Sequence, residues 1–344
     1  MKTKLIKKTK TPLLTIAIPT YKRPKLLYLS LISALNQSNK ISYEIIVIDN
    51  CNDEKINKKV DQIIKDLSHK GKIKFFRNHK NLGMFGNWNQ CLINAKGEYI
   101  TILNDDDLLD HNFVENVVKD INGSKMLIYD NELIGETKVE KQLGEKVRSF
   151  LKRFQLVQKE KIYLSDLIFR NPSNGSLGVV VKRNSAILIG GYKSEFYPCA
   201  DYNFNLNYIS KYGGFKIRKK LCKYRISVNE SLNKECLVDF VIRDFQLRER
   251  IYLKSFKKRK FILSIAEKIN FLQACSQCSR YIFLRKLCYL DFENLSLGKF
   301  NSHKSNLIKL LSFSKYVCLM IELLILINWK ILFFLKKIEW SYLF

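Results

Sequence analysis

The chain has 344 residues, of which 60 are Lys or Arg and 32 are Asp or Glu, giving a formal net charge of +28. With 47% hydrophobic residues it can bury a full core, and its length leaves room for one domain of about 230 residues plus an appended region. Nine Cys behind an N-terminus with no secretion-like pattern argue for reduced thiols and a cytosolic setting, and against a disulfide scaffold. The four His (His69, His79, His111, His303) are scattered. Cys275 and Cys278 form an isolated CxxC with no second pair at zinc-finger spacing, so packing thiols are expected there.

Leu13 to Pro19 is a continuous apolar strand that runs into Thr20-Tyr21-Lys22-Arg23-Pro24. Pro24 suits the first turn of a helix, and Leu26, Leu27, Leu31 and Leu35 give that helix an apolar face. Glu44 to Ile48 is the next strand and ends at Asp49-Asn50. Ile56, Val60, Ile63, Ile64 and Leu67 repeat at helical spacing across Glu54 to Leu67. A strand at Ile73 to Phe76 is followed by Asn81-Leu82-Gly83 and a helix around Trp88 to Ala95. The turn Lys96-Gly97 then leads into a buried strand, Tyr99 to Leu103, and three carboxylates, Asp105-Asp106-Asp107. The helix expected after them spans His111 to Asp120.

Strands alternating with helices at this spacing predict an α/β fold, a mostly parallel sheet covered on both faces. Ligands of such sheets bind beyond the carboxyl ends of the strands. Thr20, Tyr21, Arg23, Asp49, Asn81 and the Asp triplet all fall at those ends. Three adjacent acids repel one another unless a cation neutralises them, and a hard ion such as Mg²⁺ or Mn²⁺ suits oxygen ligands beside substrate phosphates. The triplet reads equally as a solvated turn capping the next helix. Asp49 reads also as a turn acid, Tyr21 as a half-buried packing aromatic, and Arg23 as a surface cation.

From Leu13 to about Arg225 the chain resembles a family 2 glycosyltransferase of the GT-A fold. The resemblance rests on Ile18-Pro19-Thr20-Tyr21-Lys22-Arg23, Glu44 to Asn50, Asn81-Leu82-Gly83 with Asn87 and Asn89, Ala95 to Ile100, and Leu103 to Leu109, followed by Gly190-Gly191-Tyr192 and Ala200-Asp201-Tyr202. It implies a Rossmann-like catalytic domain at 11–235, with a nucleotide-sugar half (11–130) and an acceptor half (131–235). It also implies a substrate-binding set of Pro19, Thr20, Tyr21, Arg23, Asp49, Asn81, Gly83, Asn87 and Asp105. Asp49 would accept from a uracil imide N–H, which favours UDP; thymine presents the same imide group, and guanine stays open as a third base. Asp106, with Asp107 second, would hold Mg²⁺ or Mn²⁺ on the diphosphate. The family usually shows an acid where this chain has Asn104, and a His that sometimes follows Tyr224-Arg225 is absent. Asp201 would be the general base of an inverting transfer, although an acid at a helix start is also a common N-terminal cap. Asn171-Pro172-Ser173-Asn174-Gly175 is expected on the acceptor side.

The implied partners are a nucleotide-sugar donor and a lipid-linked saccharide acceptor in bacterial cell-surface polysaccharide synthesis. A processive synthase is disfavoured, because neither a Gln-x-x-Arg-Trp motif nor several spans are present. Other readings are a non-catalytic sugar-nucleotide-binding module on the same fold and a basic nucleic-acid binder. No zinc-finger, RRM-like or KH-like signature supports the last, so no nucleic acid is expected. An anionic membrane surface accounts better for the charge. The basic run Lys254-Ser255-Phe256-Lys257-Lys258-Arg259-Lys260 precedes helical segments at Phe261 to Ser276 and Tyr281 to Tyr289, and then the apolar stretch Tyr316 to Leu335. Glu322 and Lys330 within that stretch favour a helix lying in the interface over a span, since a charge at the bilayer centre costs about 3 kcal/mol or more. Residues 236–344 are thus expected to be a basic, helical, membrane-associating region, peripheral or monotopic on the cytoplasmic face of the inner membrane.

Overall fold

A computed structural model of the chain describes residues 11–38, 42–70, 73–134, 158–168, 171–173, 175–225, 234–258 and 260–283. The chain divides into two compact units. One comprises Met1–Tyr163, Asn171–Glu195 and Ala200–Ser227; the other comprises Leu164–Arg170, Phe196–Cys199 and Val228–Phe344. Two short internal segments belong to the second unit.

The first unit begins with three parallel βα repeats: β1 (Leu14–Thr20), α1 (Pro24–Leu35), β2 (Tyr43–Asp49), α2 (Glu54–Leu67), β3 (Ile73–Arg77), α3 (Gly83–Asn94). β4 (Tyr99–Ile102), β5 (Leu108–Leu109) and α4 (Phe113–Ile121) follow. Every residue of β1 is buried, as expected of a central parallel strand covered on both faces. Pro24 opens α1 without wasting a backbone donor, and Leu27, Leu31 and Ala34 repeat on its buried face. Asp53 caps α2 by accepting from the Ile56 backbone N–H at 3.1 Å. α3 starts at Gly83, five residues ahead of the sequence-based estimate.

The rest of this unit is built from β6 (Met126–Ile134), β7 (Lys159–Ile162), β8 (Val179–Lys182), α5 (Arg183–Leu188), α6 (Ala200–Tyr212) and β9 (Gly214–Arg225). The sheet order is β3-β2-β1-β4-β8-β6-β9-β5, with β7 also pairing β9. β3, β2, β1 and β4 run parallel; β8 is antiparallel to both β4 and β6, while β6 and β9 pair in parallel. β1 and β2 pair Thr20 with Asp49, and β2 and β3 pair Asp49 with Arg77. The register therefore sets Thr20, Asp49 and Arg77 in one row.

At the opposite, amino end of the parallel strands, Glu44 is nearly inaccessible and ties four segments together. It accepts from the Thr15 hydroxyl at 2.7 Å, from the Lys96 N–H at 2.5 Å, from the Gly97 N–H at 3.2 Å, and from the Lys74 ammonium. Any side chain at Gly97 would strike the Thr15 backbone at 2.6 Å, which keeps this turn pressed on β1. Burial alone would raise the Glu44 pKa, but the bonds from Lys74, Thr15 and Lys96 outweigh it and hold the group below its ordinary value. Because the native pKa is depressed, the stabilisation is present above the unfolded value and is lost as pH falls through the native one. Glu44→Gln is expected to lower unfolding free energy by about 1–3 kcal/mol at pH 7. The difference from the parent in urea melts should shrink as the pH is lowered below 4.

In the second unit, α7 (Lys234–Phe256) and α8 (Lys260–Phe283) pack through buried polar contacts. Arg248 donates to Asn270 Oδ1 at 2.8 Å, Asn270 donates to the Phe245 carbonyl at 3.0 Å, and Gln277 donates to Asp244 at 2.9 Å. Cys275 and Cys278 are buried free thiols on α8. α8 runs unbroken to Phe283, where two shorter helices were expected. No helix among the described residues is long and apolar enough to cross a membrane. The stretch Tyr316 to Leu335 lies outside the described residues.

Candidate active site

The carboxyl ends of β1 to β4 carry most of the expected residues, all within the first unit. Asp49 is fully buried. Its Oδ1 accepts from the Cys51 N–H at 3.0 Å and its Oδ2 from Arg77 Nε at 2.9 Å. Arg77 reaches on to Asp61 at 2.9 Å and keeps 28% of its side chain accessible. The accessible polar group at this strand end is thus the guanidinium rather than Asp49. Reading β3 as ending at Phe76 passed over Arg77; its place directly after an apolar strand, level with Asp49, was the available signal. Tyr21 is 37% exposed just beyond β1, with Lys22 in the left-handed region at φ +58°.

An asparagine network holds the loop before α3. Asn50 donates to Asn81 Oδ1 at 2.7 Å and accepts from the Leu82 N–H at 3.0 Å, while Asn81 Oδ1 also takes the Gly83 N–H at 2.8 Å. Asn78 donates to Asn50 and to Asn87, at 2.9 and 3.0 Å. Asn87 donates to the Ile48 carbonyl at 3.2 Å. Two expectations change here. Asn87 is buried beneath the loop with both ends of its amide engaged, so it supports the loop instead of meeting a ligand. Pro19 is buried inside β1 and shapes the strand end in the same indirect way. Gly83, at φ +71°, allows the turn that starts α3.

The three acids fan out in different directions. Asp105 Oδ2 accepts from the Thr20 hydroxyl at 2.8 Å and the Tyr21 N–H at 3.3 Å. Asp106 Oδ2 pairs with Arg23 at 2.9 Å, and the same guanidinium nitrogen lies 3.6 Å from Asp105. Asp107 is buried, with Oδ1 accepting from the Arg225 N–H at 2.9 Å and Oδ2 from Asn104 at 3.2 Å. Burial, followed by the charge of Asp106, pushes both Asp105 and Asp107 up to about 7. Each Asp107 oxygen already accepts one bond, and through them this acid ties the β9 end to the acid loop. Among the described residues no group of three or more acid, His or Cys side chains gathers as a cage. A divalent ion here would take one or two carboxylates of this loop, Asp106 first, with diphosphate and water completing its shell, an arrangement usual for Mg²⁺.

Asp201 sits in the first turn of α6. Its Oδ2 accepts from Asn171 Nδ2 at 2.5 Å. The same segment reaches the acid loop, where the Ser176 hydroxyl donates to Asn104 Oδ1 at 3.3 Å. Asn171 thus meets the candidate base, and Ser176 the loop of acids that would sit by the diphosphate.

Residues 15–172 match the family model described as glycosyl transferase family 2. That segment is a family 2 glycosyltransferase domain. An uncharacterized glycosyltransferase of Methanocaldococcus jannaschii is 41% identical over 99 residues, 28% of this chain and 33% of the relative. A Campylobacter jejuni GalNAc(5)-diNAcBac-PP-undecaprenol beta-1,3-glucosyltransferase is 33% identical over 124 residues, 36% of this chain and 39% of that protein. The matches thus span well under half of these two relatives. A mannosyltransferase of Pyrobaculum calidifontis, solved with GDP-Man and Mn²⁺, superposes with a TM-score of 0.52 at 16% identity, covering 92% of this chain and 88% of that one. The glycosyltransferase domain shares its α/β, GT-A architecture.

Proposed function

We propose that the protein transfers a single sugar, with inversion, from a nucleotide-sugar to a lipid-linked saccharide during cell-surface polysaccharide assembly. The observation that carries this reading is the placement, at neighbouring ends of parallel strands, of the Asp49–Arg77 pair and of Arg23 with Asp105 and Asp106, together with a separate carboxylate, Asp201, held at the start of α6. Asp201 takes the proton from the acceptor hydroxyl as the new C–O bond forms at the anomeric carbon and the bond to the diphosphate oxygen breaks. Arg23 supplies positive charge beside Asp106 and is placed to share it with the departing diphosphate. When bound, Mg²⁺ or Mn²⁺ at Asp106 would act as a Lewis acid on that leaving group. Arg77 beside Asp49 sets a donor next to an acceptor, the complement of the imide edge of uracil once Arg77 uncovers the oxygen it holds, which favours UDP.

The basic balance of the chain and the undecaprenol-linked acceptor in the Campylobacter relative's name support work at an anionic membrane surface, on the cytoplasmic face of a bacterial inner membrane. A thermal-shift screen of UDP-, dTDP- and GDP-sugars, each with and without Mn²⁺, tests the donor side. A true donor at one hundred times its Kd adds about 2.7 kcal/mol to stability. The expected result is a shift with UDP-sugars that Mn²⁺ enlarges; no shift with any nucleotide-sugar would overturn the reading.

A further inference from the structure

Asp201 is held by a three-residue relay that lies off its own helix turn. Asn171 Nδ2 donates to Asp201 Oδ2 at 2.5 Å. The amide of Asn171 cannot turn over without loss, because its Oδ1 accepts from Asn205 Nδ2 at 2.7 Å. Asn205 is 1% exposed on α6, one helical turn after Asp201, and also donates to Ser173 Oγ at 2.8 Å. The Ser173 hydroxyl in turn reaches the Gly175 carbonyl at 2.8 Å. Position i and position i+4 of a helix share a face, so α6 presents the carboxylate and the strut that aims its hydrogen-bond donor together.

We propose that Asn171 is a positioning residue for the transfer reaction: braced by Asn205 and Ser173, it fixes the Asp201 carboxylate and favours its ionised form toward the acceptor hydroxyl. This rests on the reading of Asp201 as the base. A hydrogen bond from a neutral amide strengthens as its acceptor gains charge, so the contact selects the proton-accepting state. It also fixes which oxygen is committed to the protein, since Oδ2 is the atom bound to Asn171. The arrangement has the form of an orienter, a base and a substrate hydroxyl, with an amide as the orienter.

The test follows Asp201 directly and needs no identified acceptor. In full-length protein labelled with ¹³C at Asp carboxyl carbons, the Asp201 resonance is assigned by its loss in Asp201→Asn, then titrated. Asn171→Ala should raise the Asp201 midpoint by roughly one pH unit, the loss of a charge-assisted bond. Asn171→Asp keeps the shape and the contact from Asn205 but sets two carboxylates face to face, and should raise it further. An unchanged midpoint in either variant that retains the parent's melting temperature overturns the inference. Transfer assays with the donor found by thermal shift form the second arm. Asn171→Ala should lower kcat roughly tenfold or more with donor KM kept, and move the acidic limb of the pH profile upward. Unaltered transfer in Asp201→Asn would sink the base reading itself. Loss of transfer in Asp201→Asn with a parent-like profile in Asn171→Ala would sink only the role of Asn171.

Discussion

Asp201→Asn is expected to lower sugar transfer by roughly 10²-fold or more while donor affinity stays within about twofold. The substitution keeps the volume and planarity of the side chain, and the new amide can still offer an oxygen to Asn171. What it removes is the basic oxygen that accepts the acceptor's proton. A hundredfold loss corresponds to about 2.7 kcal/mol of transition-state stabilisation, the usual reach of a positioned general base. The measurement is a steady-state comparison of kcat and donor KM, with donor affinity read separately by thermal shift. Turnover at the parent rate would place the base elsewhere. A large rise in donor KM with kcat unchanged would make Asp201 a binding group.

Asp106→Ala should reduce transfer by a comparable factor, roughly 10²-fold, because Lewis-acid stabilisation of a leaving diphosphate is worth several kcal/mol. The geometry singles out this acid among the three. Asp105 is covered by Thr20 and Tyr21, and Asp107 by Arg225 and Asn104, whereas among the described residues the Asp106 carboxylate meets the partly exposed Arg23 through Oδ2. Asp110→Ala, which removes local contacts to the Asn112 N–H and to His111, serves as the control and should stay within about twofold of the parent. Chelation of the parent enzyme should reproduce the loss, and added Mn²⁺ should restore the parent but not the variant. Full activity of Asp106→Ala in chelator would remove the metal role and leave Arg23 as the counter-charge at this end of the cleft.

The parallel half of the sheet was legible because its strands are short, almost wholly apolar runs, each closed by a polar strand end. Leu14–Thr20 and Tyr43–Asp49 differ from the sequence reading by a residue at each end. The other half was hidden for the opposite reason. β9 carries Lys216, Arg218, Lys219, Lys220 and Lys223, whose charges are carried at the surface or paired with Asp130, Glu160 and Asp120, so its strand character rests on distant partners. β5 has two residues and exists only through pairing with β9. In the site, residue types marked the acids and Asp201 but not how they are held. That Asp107 turns toward Arg225, that Asp49 is covered by Arg77, and that Asn171 meets Asp201 each depend on register or loop path between residues 28 to 118 positions apart.

β2 has a division of labour along its length. Glu44 near its first residue fastens β1, β3 and the turn before β4, and Asp49 at its last anchors the arginine beside the proposed base contact. The two carboxylates stand five residues apart, about 17 Å along an extended strand. At that separation the effects of substitutions are expected to be nearly additive. Asp49 is itself buried and paired with Arg77, so changing it should cost stability as well as the proposed base contact. Robustness can be raised at the other tip without retuning which sugar nucleotide is chosen.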